Sequence, residues 1–272
     1  MKTKSSKLFI PFALLLFIAC GCSKQESPAS PVNDTENVQK KAAVTVPQPD
    51  HIVIAILENH AYSQIIGSNN APYINSLATG SFSANFTKSF AITHPSQPNY
   101  IDLFSGDDQG VTNDNNPRND PFTTPNLGSQ LLTAGKTYST YSESLPSVGF
   151  NGTSSGPYVR KHNPAANWMG TGNNQIPSTT NKPFTSFPAN FSQLPTVSIV
   201  IPNLNNDMHD GPIKRGDKWI KTNLDAYVQW AKTHNSLFIL TFDEDNDTNV
   251  NQITTIFTGQ SVKKGSYSNK ID

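Results

Sequence analysis

The chain has 272 residues, of which 35% are apolar and 15% charged, with 20 basic and 20 acidic side chains balancing to zero. That length supports one well-buried domain and is short for two. The neutral balance excludes a global field that would recruit nucleic acid or an anionic membrane face, so a ligand must be recognised by a local site.

In chain order, Lys2, Lys4 and Lys7 precede an apolar run over residues 8–19, the layout of a secretory signal and too short to span a bilayer comfortably. Both cysteines of the chain, Cys20 and Cys22, sit where that run ends, in Phe17-Ile18-Ala19-Cys20-Gly21-Cys22-Ser23. The segment resembles a bacterial lipoprotein processing site, with one cysteine lipidated; the alternative is an ordinary cleaved signal. Either way the mature domain has no disulfide, so its stability must come from the core and any bound metal. Residues 24–49, rich in Ser, Pro, Asn, Gln, Lys and Glu, read as a disordered tether. The expected organisation is a signal over 1–22, a tether over 23–49 and a domain over 50–272 of an exported, cell-envelope protein that meets the membrane only through its lipid.

Residues 51–57 (HIVIAIL) form a short β-branched run of the kind buried on both faces of a parallel sheet. Helical spacing follows at 71–78 and 126–134, the second stopping at Gly135, and 136–142 reads as a strand. Residues 195–201 are a second buried-strand run, 214–234 a long amphipathic helix, and 236–242 and 252–258 further strands. Strands alternating with helices predict an α/β domain with a mostly parallel sheet flanked by helices. The Gly-, Pro-, Asn- and Ser-rich segments 106–124 and 147–186 read as long surface excursions.

Ligands of open α/β sheets bind beyond the carboxyl ends of the strands. Glu58-Asn59 and Asp243-Glu244 stand at two such ends. Clustered carboxylates resist ionising without a cation, which points to one divalent metal; carboxylate and amide oxygens favour Ca, Mn or Mg over zinc. Asp243, Asp245, Asp247 and Asn249 alternate as in an EF-hand, but Thr248 replaces the required glycine and Thr254 the bidentate glutamate. Ser96, opening the run Ser96-Gln97-Pro98-Asn99-Tyr100-Ile101-Asp102, is either a helix N-cap or a nucleophile at a phosphate-attracting helix end.

With these residues assembled, the chain resembles the phosphoesterase family of bacterial and fungal acid phosphatases and bacterial phospholipases C, within the alkaline-phosphatase-like fold. The likeness rests on Glu58-Asn59-His60, the run 93–100 (THPSQPNY), Lys161-His162-Asn163-Pro164, the run 203–210 (NLNNDMHD) and Asp243-Glu244-Asp245. It implies a metal held by Glu58, Asn59, Asp243, Glu244 and Ser96, with Ser96 as nucleophile and His209 and His162 as catalytic histidines. It also implies secondary or phosphate-contacting positions at His94, Asn99, Asp207 and Asp210, His94 fixing the Ser96 turn and an aspartate orienting His209. His51, His60 and His234 are expected to be structural or exposed. The implied activity is hydrolysis of small phosphomonoesters through a phosphoserine, with a phosphodiesterase or phospholipase C as the alternative and a non-catalytic calcium-binding surface lipoprotein as a third reading. Relatives continue past the position of Asp272, so the resemblance implies a C-terminally truncated domain with an exposed sheet face.

Overall fold

The structure is a computed structural model that describes residues 46–272; the expected signal and the tether up to residue 45 lie outside the described residues. The elements are, in order, β1 (His51–Leu57), α1 (Tyr62–Ile65), α2 (Pro72–Ala78), β2 (Ser83–Phe90), α3 (Ser96–Ser105), α4 (Leu127–Thr133) and β3 (Tyr138–Ser142). The two-residue strands β4 (Ser154–Ser155) and β5 (Tyr158–Val159) follow, then β6 (Asn181–Pro183), β7 (Val197–Ile201), α5 (Ile213–Ala231), β8 (Ser236–Phe242), β9 (Gln252–Gly259) and β10 (Gly265–Tyr267).

One eight-stranded sheet has the order β10-β2-β9-β8-β1-β7-β3-β6. β9 pairs antiparallel with both β8 and β2, and the other neighbours pair in parallel, so β9 alone among these strands runs against the rest. The sheet is buried from two sides, as the run 51–57 anticipates. Val53, Ala55 and Leu57 pack with α2 and α5, through Ile74, Leu224 and Val228, whereas Ile56 and Ile199 pack with Ile101 and Phe104 of α3. Burial of large apolar side chains on both faces is the main favourable term holding the layers together. Helix ends follow local chemistry: Asn126 caps α4 by accepting the Ser129 N–H at 2.9 Å, and Gly106 ends α3 at a φ of 73° that disfavours other residues.

One sequence expectation needs correction, and one strand escapes the sequence pattern. Residues 147–186 are not a surface excursion, for Arg160, His162, Asn163, Trp168 and Ile176 are buried. This segment folds as short 3₁₀ turns around Trp168, whose ring meets Phe104 and Phe122 at 5.4 and 4.9 Å. Such turns follow neither the strand nor the helix period, so their apolar residues look scattered. Strand β2 (SANFTKSF) carries little apolar signal because hydroxyl pairs join it to its neighbour, Ser83 with Thr258 and Ser89 with Thr255, each at 2.8 Å. On the α3 side, the sheet beyond β1 stays open as a groove of about 510 Å³ lined by Ile54, Ile239, Thr241 and Phe257.

Candidate active site

Glu58 follows β1, Asp243 and Glu244 follow β8, and Asp207 lies in the turn after β7; these three strands are parallel neighbours, so their carboxyl ends meet. Main-chain bonds lock the ends together: Glu58 N–H donates to Asp207 O at 2.8 Å and Asp243 N–H to Leu57 O at 3.0 Å. Glu143, just past β3, stiffens the turn carrying Asp207. Its carboxylate accepts the Asn203 N–H, the Asn206 amide and the Trp219 indole, each at 2.9 Å.

Ser96 is the first residue of α3, and its N-cap is Pro95. The N-cap reading of its hydroxyl therefore fails. Ser96 Oγ is buried and lies 3.2 Å from Glu58 Oε2 and 3.1 Å from Glu244 Oε1. Asn59 joins the same cluster by giving its N–H to Asp243 Oδ1 at 3.2 Å, and its own Oδ1 is buried without a hydrogen-bond partner. Ser96, Glu58, Asp243 and Glu244 thus lie together, with Asn59 tied to them through its main chain. The expected anion seat at the start of α3 is partly taken, because Gln97 N–H donates to Asp114 Oδ1 at 3.1 Å.

The other oxygen of Glu58 faces a second group. His162 Nδ1 lies 3.3 Å from Glu58 Oε1 and 3.4 Å from Asp207 Oδ2, and these three buried residues each offer an atom within 4.8 Å of the others, close enough to hold a metal ion. Both His162 nitrogens, Asp207 Oδ2 and Asp243 Oδ2 are buried and lack hydrogen-bond partners, a costly arrangement that a cation coordinated there relieves. Tyr100, one turn after Ser96, donates its hydroxyl to Glu58 Oε1 and stacks on His162 at 5.3 Å. The sequence reading missed Tyr100; its i+4 spacing from Ser96 on α3 was the available signal.

Electrostatics agree. Burial, then Asp243 and Asp207, push the Glu58 carboxyl well above its usual range. Burial raises Asp207 to about 7, and burial with the Glu244 charge raises Asp243 to about 7. Neighbouring anions out of water resist ionising, and a divalent cation reverses that balance. Burial also holds the His162 imidazole well below its usual range, so it stays neutral near pH 7.

His209 is partly exposed; its Nδ1 meets Asp210 Oδ1 at 2.7 Å and its N–H donates to Asp207 Oδ1 at 2.8 Å. Asp210 therefore orients the ring, and Asp207 belongs with Glu58 and His162. The His209 and His162 rings lie 5.8 Å apart. His94 Nδ1 meets Glu244 Oε2 at 2.7 Å and its Nε2 meets Thr248 O at 3.1 Å, so it fixes Glu244 and the loop after β8. Asn99 staples the turn before α3: Oδ1 accepts the Ile92 and Thr93 N–H groups at 3.2 and 3.0 Å, and Nδ2 donates to Thr93 O at 2.8 Å. In the acidic loop, Asp247 and Asn249 are exposed while buried Asp245 accepts the Thr248 N–H at 2.8 Å, a local turn and not an EF-hand. His51 bonds Pro195 O at 3.1 Å, His60 bonds Glu58 O at 2.9 Å and His234 stacks on Trp230 at 4.5 Å, away from the carboxylate cluster except through His60.

Comparison with known proteins supplies context for this geometry. Residues 69–270 match the Phosphoesterase family. A phosphatidylinositol-3-phosphatase of Mycobacterium tuberculosis is 47% identical over 232 residues, covering 85% of this chain and 75% of that protein. An acid phosphatase of Aspergillus fumigatus is 31% identical, covering 86% of this chain and 52% of that protein; a probable acid phosphatase of Kluyveromyces lactis is 30% identical over 76% and 50%. The chain thus spans about half the length of these fungal relatives. Among solved structures, an alkaline phosphatase superfamily protein from Vibrio parahaemolyticus aligns with a TM-score of 0.54 at 12% identity, over 81% of this chain and 62% of that one. A putative sulfatase from Bacteroides thetaiotaomicron aligns with a TM-score of 0.52 at 13% identity, over 83% and 67%. These two likenesses concern the fold.

Proposed function

The chain belongs to the phosphoesterase family, whose relatives named above are phosphatases, and from that premise and the site's geometry we propose that it hydrolyses phosphomonoesters with Ser96 as the nucleophile. The observation that carries the reading is the Ser96 hydroxyl lying between Glu58 and Glu244 at 3.2 and 3.1 Å. Glu58, Asn59, Asp243 and Glu244 would hold a divalent cation beside Ser96 Oγ, with His162 and Asp207 closing the far side of Glu58. Oxygen-rich donors favour Ca, Mn or Mg. Bound there, the cation would acidify the serine hydroxyl and offset charge on the phosphoryl oxygens.

Ser96 attacks phosphorus in line with the leaving alkoxide, its hydroxyl proton passing to Glu244 or Glu58. The P–O bond to the alcohol breaks, leaving phosphoserine. His209, held by Asp210, donates the proton that the departing alkoxide needs, and water then cleaves the phosphoserine to free phosphate. The monoester reading is favoured over a diester one because the relatives named above are phosphatases. The localisation reading is export with an N-terminal lipid on Cys20 or Cys22, testable by fractionation and by substituting each cysteine.

The decisive test is turnover of an aryl phosphate, an aryl phosphodiester and phosphatidylcholine by wild type and Ser96→Ala, with and without chelator. Expected are monoester turnover in wild type, loss of at least about 10³-fold in the variant, and loss on chelation restored by added cation. Wild-type rates in Ser96→Ala would end the proposal, and a faster diester rate would move it to the phosphodiesterase reading.

A further inference from the structure

Two charged side chains, Asp114 and Lys161, meet beside Ser96 and take no part in the mechanism above. Lys161 Nζ donates to Asp114 Oδ2 at 2.7 Å, while Asp114 Oδ1 accepts the Gln97 N–H at 3.1 Å. Gln97, the residue after Ser96, is buried and donates its side-chain amide to the carbonyls of Asn113 and Asn115 at 3.0 and 2.6 Å. Asp114 thus fastens an ammonium to the first turn of the helix that carries Ser96. On its other side Lys161 is bonded in sequence to His162, which is buried against Glu58 and Asp207.

The charge in the site gives that ammonium a purpose. Glu58, Asp207, Asp243 and Glu244 bring four carboxylates together, and a phosphomonoester adds a dianion, so one divalent cation leaves the loaded site well short of neutrality. Arg160, the neighbouring permanent cation, is committed to Asp120 and to Asn151. Lys161 is free to do more. Its side chain is 21% exposed, and of the three N–H donors of an ammonium one goes to Asp114. Its field reaches the reacting groups: burial opposes its charge, but Asp114, then Glu58 and Asp243, more than offset that and keep the ammonium charged. Lys161 acts in return on Asp207 and His162.

We propose that Lys161 binds the phosphate of substrate and product, donating to a non-bridging phosphoryl oxygen, and that Asp114 is the positioning residue that holds the ammonium against the Ser96 turn. This rests on the phosphomonoesterase reading. The alternative is a clamp that only ties two loops together.

The test uses the chain with its cation bound and inorganic phosphate as the probe, read as a competitive inhibition constant and by direct calorimetry, beside KM, kcat and Tm. Loss of a charge-assisted contact in both ground and transition states should act mainly on binding. Lys161→Met is expected to raise the phosphate inhibition constant and KM about tenfold or more with a smaller change in kcat, and Lys161→Arg to restore most of the loss. Asp114→Ala is expected to weaken phosphate binding in the wild-type background and to add little in the Lys161→Met background. Should Lys161→Met fail to fold, Lys161→Gln carries the same readout. A folded variant that binds phosphate within twofold of wild type overturns the inference and leaves the clamp. A wild-type chain that neither binds phosphate nor cleaves an aryl phosphate instead removes the phosphomonoesterase reading beneath it.

Discussion

Replacing Tyr100 with Phe removes one oxygen from the centre of the site and little else. The ring is 1% exposed and stacks on His162 with 12° between planes, contacts a phenyl ring retains. What disappears is the donor to Glu58 Oε1, the contact that opposes the upward push of burial and of Asp243 and Asp207 on that carboxyl. A buried hydrogen bond to a charged group contributes about 1.5–3 kcal/mol. If ionised Glu58 helps hold the cation, the loss should weaken cation affinity about 10–100-fold, as removal of an outer partner of a metal ligand does. At roughly 2–4 °C per kcal/mol for a domain of this size, the cation-loaded variant should melt about 3–12 °C lower at pH 7. At about pH 4 and without cation the difference should shrink, because protonated Glu58 gains less from the phenol. Calorimetric titration with calcium and with manganese, and scanning calorimetry at both pH values, read these quantities. Unchanged affinity and melting at pH 7 would refute the argument that Tyr100 sets the charge state of Glu58.

Asp207 and Asp243 sit at about 7 in the folded, cation-free chain, above the usual carboxylate range of the unfolded one. The stability these groups contribute is therefore full below about pH 4 and lost as pH rises toward 7. Chelated protein should show a falling Tm across that window and added cation should flatten it; a cation-independent Tm profile would count against metal at these carboxylates. Trp168→Ala, emptying a fully buried site against Phe104 and Phe122, should cost about 3–5 kcal/mol, measurable by urea titration. Asp217 of α5 accepts the Tyr73 and Ile74 N–H groups of α2 at 3.2 and 2.8 Å, so Asp217→Ala should cost about 1–3 kcal/mol with no change in KM. A shifted KM there would mean that α2 reaches the substrate.

Local pattern made the α/β class and the strand ends readable. The runs 51–57, 195–201 and 236–242 are apolar on both faces, and each gives way at once to polar residues, so Glu58-Asn59 and Asp243-Glu244 stand out. The same periodicity could not reveal β2, whose pairing is carried by hydroxyls, or the 3₁₀ turns that bury Arg160, His162 and Trp168. Nor could it show which residues meet. Residues 58, 96, 162, 207 and 243 come together because the order β8-β1-β7 sets three loop ends side by side and α3 lays Ser96 over them. Tyr100 on Glu58, neutral His162 and the Asp114–Lys161 pair exist only through that arrangement. Burial and charge proximity depend on distances across the fold, whereas strand and helix signals are written in neighbouring residues along the chain.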